Sequence, residues 1–270
     1  ANTHGLKAFF TNFGQRLVSL LVPDKSGKLE DIVLGYSNLE GYLNSKEPYF
    51  GAIIGRYANR INNGKFTIDS KKHKLHQNNG PHHLHGGPQG FHNVVWEANQ
   101  ISTNQIEYSR ISPHLEEGYP GNLDVRVNYI LTNDNELQIK YYATTDQTTF
   151  MNLIHHSYFN LAWEGSDTIN DHQLLINANS YTPVDKTLIP TGEIVKVKNT
   201  AFDFTVAKAI GRDNNGLDEQ LSFGGGYDHN YVLNKSNRNV KEVSFAAKVC
   251  HPKSGRMMEV YTDEPGIQFY

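Results

Sequence analysis

Thirteen histidines occur in 270 residues, and most of them gather in groups: His73 and His76, then His82, His83, His85 and His92, then His155 and His156. An imidazole with its ordinary pKa of about 6.5 gives and takes protons at neutral pH, and in its neutral form it binds transition metals. The cluster is open to both chemistries. On a strand, His83 and His85 would point to one side, as ligands of metal-binding β-barrels do. A carboxylate a few residues on would complete such a site, yet Gln89 and Gly90 stand there and the next acid is Glu97. No metal and no cofactor is therefore assigned. A plainer reading leaves the histidines as polar residues of loops and strands. The third gives some of them acid–base work on a substrate.

Strands are what must hold these side chains. From Leu123 to Tyr141, Val125, Val127 and Tyr129 alternate with Arg126 and Asn128. Asn133 to Asn135 supply turn chemistry, and Leu137, Ile139 and Tyr141 then alternate with Gln138 and Lys140. Period two on both sides of a turn predicts a β-hairpin. A second hairpin is predicted where Val243, Phe245, Ala247 and Val249 alternate, Pro252 to Gly255 turn, and Met258 to Tyr261 return. Shorter strands are expected at Lys7 to Phe10, Arg16 to Leu21, Phe66 to Ile68, Ile106 to Ile111 and Gln173 to Ile176. The 23 glycines and 10 prolines interrupt the chain too often for many amphipathic helices. The fold class is all-β, a large antiparallel β-sandwich, read as one domain over 1–270.

Composition narrows the partners. Net charge is −3, the sequence pI is about 6.5 and mean hydropathy is −0.55. No basic run marks a nucleic-acid or membrane-surface binder. No stretch approaches the ~18 apolar residues of a membrane helix, and no signal-peptide core is visible. The single cysteine, Cys250, excludes an internal disulfide and is expected in the buried core. Ala1 is not an initiator, so a preceding segment is anticipated; the expected compartment is the cytoplasm and the expected state a monomer or homodimer.

Several ordered motifs resemble one known family. Phe50-Gly51-Ala52-Ile53-Ile54-Gly55-Arg56-Tyr57-Ala58-Asn59-Arg60-Ile61 and Leu84-His85-Gly86-Gly87, with Gly90-Phe91 and Trp96, open the series. Glu117 to Gly121, His156-Ser157-Tyr158-Phe159-Asn160-Leu161 and Thr182 to Asp185 follow. Ile189 to Gly192, Phe202 to Phe204, Tyr227-Asp228-His229-Asn230 and Pro265 to Tyr270 complete it. Together they are similar to the aldose 1-epimerase (galactose mutarotase) family. That resemblance implies a galactose mutarotase-like supersandwich holding one free hexose, galactose or glucose, and interconverting its α and β anomers without a cofactor. It implies His156 as general acid, His85 beside the ring oxygen, and Asn59, Arg60, Asp228 and Gln268 as ligands of sugar hydroxyls.

Imidazole suits the ring-oxygen side of such a reaction, while Arg60 offers fixed donors and Asp228 acceptors. The sequence departs from the family motif at His155, where the family has Asn; a second imidazole there would lower the pKa of the acid if both were charged. The family's general base is a glutamate downstream of the Pro265 to Tyr270 motif, so it is expected beyond Tyr270, in a C-terminal segment this chain lacks. Two other readings stay open. One is a sugar-binding relative without catalysis. The other is an epimerase of a phosphorylated sugar, for which Arg56 and Arg60 are the available cations.

Overall fold

The computed structural model describes residues 1–214, 216–236 and 242–270. Among the described residues, 42% lie in strands and 9% in helices, so the all-β expectation holds. The chain divides into two compact units, one of Ala1–Pro23 with Gly27–Gly165 and one of Asp24–Ser26 with Ser166–Tyr270. Among the described residues, no helix is long and apolar enough to cross a membrane.

The first unit is built around a four-stranded antiparallel sheet of Glu97–Ser102, Gln105–Ser112, Leu123–Leu131 and Leu137–Thr145. The predicted hairpin forms one side of it, with Leu137–Thr145 at the edge, in unbroken register from Leu123↔Thr145 to Leu131↔Leu137. Asn135 takes the left-handed conformation, at φ 63°, that closes the turn. Alternation puts Leu123, Val125, Val127 and Tyr129 on one face, where they pack with Ile53, Phe91 and Trp96. Burying such side chains is worth about 1.5–3 kcal/mol each. The same unit holds a three-stranded sheet of Lys7–Thr11, Arg16–Pro23 and Leu29–Asp31. Three two-stranded ladders complete it: Ala52–Ile54 with Ile154–His156, Arg60–Ile61 with His83–Leu84, and Lys65–Ile68 with Lys71–Lys74.

Two four-stranded sheets share one core in the second unit. One orders Lys208–Ala209, Gln173–Ile176, Ser244–Cys250 and Met257–Thr262, and the other Val195–Lys196, Ala178–Thr182, His229–Leu233 and Gly266–Phe269. Leu174, Ile176, Ala246 and Ala247 from the first meet Tyr181, Tyr231 and Leu233 from the second, with Phe202, Phe204 and Leu221 between elements. The second predicted hairpin is present, with a register shift between Phe245 and Ala247. Cys250 corrects an expectation: at the end of its strand it is only half-buried, outside the core.

Candidate active site

The pairing of Ile154–His156 with Ala52–Ile54 sets the two neighbouring histidines apart. Successive strand residues face opposite ways. His155, opposite Ile53, turns its ring toward Tyr129 at 5.8 Å and shares a 3.2 Å hydrogen bond between Nε2 and the Ser157 hydroxyl. Burial, then the nearby His156, pushes its pKa down to about 3. His155 is therefore neutral at neutral pH and exerts no charge repulsion on its neighbour, contrary to the concern raised by the sequence. His156 meets another set of rings: Tyr49 at 5.6 Å, Tyr158 at 5.1 Å and His85 edge-to-face at 5.1 Å.

His85 is held by backbone. It follows His83–Leu84 and takes φ 52°, while Asn59, just before Arg60–Ile61, takes φ 63°. The His85 amide donates to the Asn59 carbonyl at 3.2 Å, and the Asn59 amide donates to His85 Nδ1 at 3.0 Å. An Nδ1 that accepts leaves the proton of a neutral imidazole on Nε2. Burial first, then the nearby His156 and Arg60, hold the His85 pKa well below the usual histidine range. His85 is thus a neutral imidazole with one oriented donor. Asn59 Oδ1 also accepts from the Arg60 amide at 2.9 Å, and Arg60 Nε donates to Asn79 Oδ1 at 3.1 Å.

The left-handed turn at His85 breaks the alternation that would have matched it with His83. Fully buried His83 instead donates from Nδ1 to the His76 carbonyl at 2.6 Å and accepts at Nε2 from the Tyr119 hydroxyl at 2.8 Å. Among the described residues, no group of three or more His, Cys, Asp or Glu is placed to hold a metal ion.

The loop after His85 depends on glycine. Gly86 has φ 81°, and a Cβ there would collide with the Gly55 carbonyl oxygen; one at Gly87 would collide with the Glu117 carboxylate. Glu117 in turn accepts from the Gln89 amide at 2.8 Å and lies 2.6 Å from His76 Nδ1. Arg56, available to a phosphate in the sequence reading, is spent elsewhere. It is 2% exposed and donates to the Ser112 hydroxyl and to the carbonyls of Ser112, Pro113 and Pro120 at 2.7–2.9 Å.

The remaining two predicted ligands lie together in the second unit. Gln268 Nε2 donates to Asp228 Oδ1 at 2.8 Å. Asp228 sits between the left-handed end of the Glu219–Gly224 helix at Gly225 and the strand His229–Leu233, which pairs with Gly266–Phe269. Its amide donates to His229 Nδ1 at 3.2 Å, and His229 Nε2 donates to Gln220 Oε1 at the same distance. Gln220 also brackets Val184 with two hydrogen bonds, to its amide at 2.8 Å and its carbonyl at 2.9 Å. Those bonds lock the Thr182 to Asp185 motif to the helix preceding Asp228.

Tyr49 was not singled out by the sequence. Its ring lies 4.6 Å from His85 and 4.9 Å from His92, both edge-to-face, besides its contact with His156. The available signal was position alone, since Tyr49 immediately precedes the Phe50-Gly51 motif.

With this geometry stand the comparisons to known proteins. The sequence model of the aldose 1-epimerase family matches residues 1–270. The chain belongs to the aldose 1-epimerase family. It is 48% identical over 265 residues to the galactose mutarotase of Bos taurus, covering 98% of this chain and 74% of that protein. To the aldose 1-epimerase of Escherichia coli strain K12 it is 36% identical over 269 residues, covering 100% of this chain and 76% of that protein. The crystal structure of an aldose epimerase homologue from C. elegans matches with a TM-score of 0.90 at 33% identity, over 99% of this chain and 79% of that one. The fold is the galactose mutarotase-like one, and the chain is an isomerase that interconverts the α and β anomers of aldoses. In this aldose 1-epimerase the motifs of the first unit converge on the His85–Tyr49–His156 cluster.

Proposed function

We propose that this aldose 1-epimerase acts on free hexoses, galactose and glucose, with His156 delivering the proton to the ring oxygen and His85 holding that oxygen by its Nε2–H. The observation that carries the assignment is the pair of imidazole rings 5.1 Å apart, one of them with its tautomer set by the Asn59 amide. Ring opening requires that the C1 hydroxyl lose a proton as the ring oxygen gains one. The C1–O5 bond then breaks, the aldehyde carbon turns about C1–C2, and closure on the other face reverses the transfers.

His156 must be protonated to begin the reaction. His85 and His155 are neutral, and the phenol rings of Tyr49 and Tyr158 favour a neighbouring cation. Asn59, Arg60, Asp228 and Gln268 act as hydroxyl ligands on the family resemblance, and the same resemblance gives the C1 proton to a glutamate. The use of Arg56 as a buried clamp speaks against a phosphorylated substrate. The single cysteine and acidic balance suit the cytoplasm.

Magnetisation exchange between the anomeric proton signals of galactose and of glucose tests the proposal. Full-length protein accelerates exchange for both free sugars and leaves their 6-phosphates near the spontaneous rate. Binding without acceleration would favour a non-catalytic sugar binder, and faster exchange of the phosphates would reverse the substrate assignment.

A further inference from the structure

Arg16 is a buried cation, 1% exposed, and none of the described carboxylates pairs with it. An unpaired buried charge is costly unless its donors are satisfied. Its partners are three carbonyls, each at 2.8 Å: Phe50 on Nη1, and Pro48 and His92 on Nη2, while its buried Nε has no hydrogen-bond partner among the described residues. The guanidinium also lies 4.9 Å from the Tyr42 ring and 5.2 Å from that of Phe13. Burial draws its pKa down to about 10, which leaves it charged at neutral pH.

Two of those carbonyls flank Tyr49, and the third belongs to the residue whose ring packs edge-to-face on Tyr49. The planar fork of one guanidinium therefore ties both sides of the Tyr49 backbone to the short helical turn Phe91–Asn93. The next backbone amide, Leu17, donates to the Gly51 carbonyl at 2.9 Å and extends the same clamp. The Tyr49 ring itself lies 4.6 Å from His85 and 5.6 Å from His156.

We propose that Arg16 is a positioning residue of the epimerase reaction, fixing Tyr49 as the shared wall that sets the orientation of His85 and His156. The inference rests on the reading that these two imidazoles serve the ring oxygen. Arg16 itself is sealed from any sugar, so it acts through Tyr49. Reacting groups displaced by about 1 Å can lose up to 10²-fold in rate, and the loss falls on turnover when the hydroxyl ligands are untouched.

The test compares Arg16→Lys, Arg16→Met, Tyr49→Leu, Tyr49→Phe and the Arg16→Met/Tyr49→Leu double variant in full-length protein, with folding checked by thermal melting. Arg16→Met and Tyr49→Leu each lower kcat by about tenfold or more with KM within about twofold. The double variant falls no further than the worse single. Tyr49→Phe, which keeps the ring, recovers most of the loss seen with Leu, and Arg16→Lys, which cannot span three carbonyls, falls between wild type and Met. Should Arg16→Met not fold, Arg16→Lys paired with Tyr49→Leu gives the same cycle. A lowered melting point with unchanged kcat, or losses that multiply in the double variant, would overturn the proposal. Failure of the underlying reading looks different, because His156→Ala would then keep full activity. Imidazole ¹⁵N spectra still report on Arg16 in that case: the Nε2–H signature of His85 is kept in Tyr49→Phe and disturbed in Arg16→Lys, and an undisturbed signature in both contradicts the positioning role.

Discussion

Acidification should find a specific weak point at His92. The residue is 4% exposed, its Nδ1 has no hydrogen-bond partner among the described residues, and burial followed by the charges of Arg16 and His156 pushes its pKa down to about 3. In the unfolded chain its pKa returns to about 6.5. Between those values the unfolded state binds a proton that the folded state refuses, so stability falls as pH drops through this window. At pH 4.5 the unfolded imidazole is about two pH units below its pKa while the folded one is still neutral. At about 1.36 kcal/mol per unit, the loss from pH 7 is about 2–3 kcal/mol for this one side chain. His92→Phe keeps a ring against Tyr49 and removes the titration. Urea unfolding at pH 7 and pH 4.5 should show wild type losing about 2–3 kcal/mol more than the variant. His85 and His155 titrate in both proteins and cancel in the difference. Equal losses in the two proteins, to within about 0.5 kcal/mol, would refute the assignment of His92 as a buried neutral imidazole.

Three further outcomes follow from contacts already described. Gly86→Ala, at φ 81° with its new methyl against the Gly55 carbonyl, should cost about 3 kcal/mol in unfolding and abolish turnover, whereas Gly80→Ala, at φ 57° with open space around it, should cost about 1 kcal/mol. Tyr119→Phe strands the buried Nε2 of His83 and should lower stability by about 1–3 kcal/mol in the same assay. Asp228→Ala removes a proposed hydroxyl acceptor and the partner of Gln268, so steady-state kinetics should show KM rising about tenfold with a smaller change in kcat.

Long alternating segments were legible before the fold was known. Leu123–Leu131 and Leu137–Thr145 lie where the period-two pattern placed them, and Gln173–Ile176 has the predicted bounds. Arg60–Ile61, His83–Leu84 and Val195–Lys196 were not legible, because two residues carry no period and only pairing defines them. The motifs led to His85 and His156, but not to what fixes their states. His85 owes its tautomer to the amide of Asn59, 26 positions away in the chain, and two left-handed residues had to bring them together. Arg16 was read only as the polar start of a strand. Its burial depends on carbonyls at Pro48, Phe50 and His92, which no local pattern announces. The expectation that His83 and His85 would point to one side of a strand failed for a related reason, since one positive φ at His85 undid the alternation on which it relied.

Polarimetry on freshly dissolved α-galactose and α-glucose, with full-length protein and its His156→Ala variant, tests the account most directly. Wild type should carry the optical rotation to equilibrium far faster than the buffer alone, and His156→Ala, folded and still binding sugar, should lose at least about 10²-fold of that acceleration. A His156→Ala protein as fast as wild type would contradict the assignment of the acid, and a wild type no faster than buffer would contradict the catalytic reading as a whole.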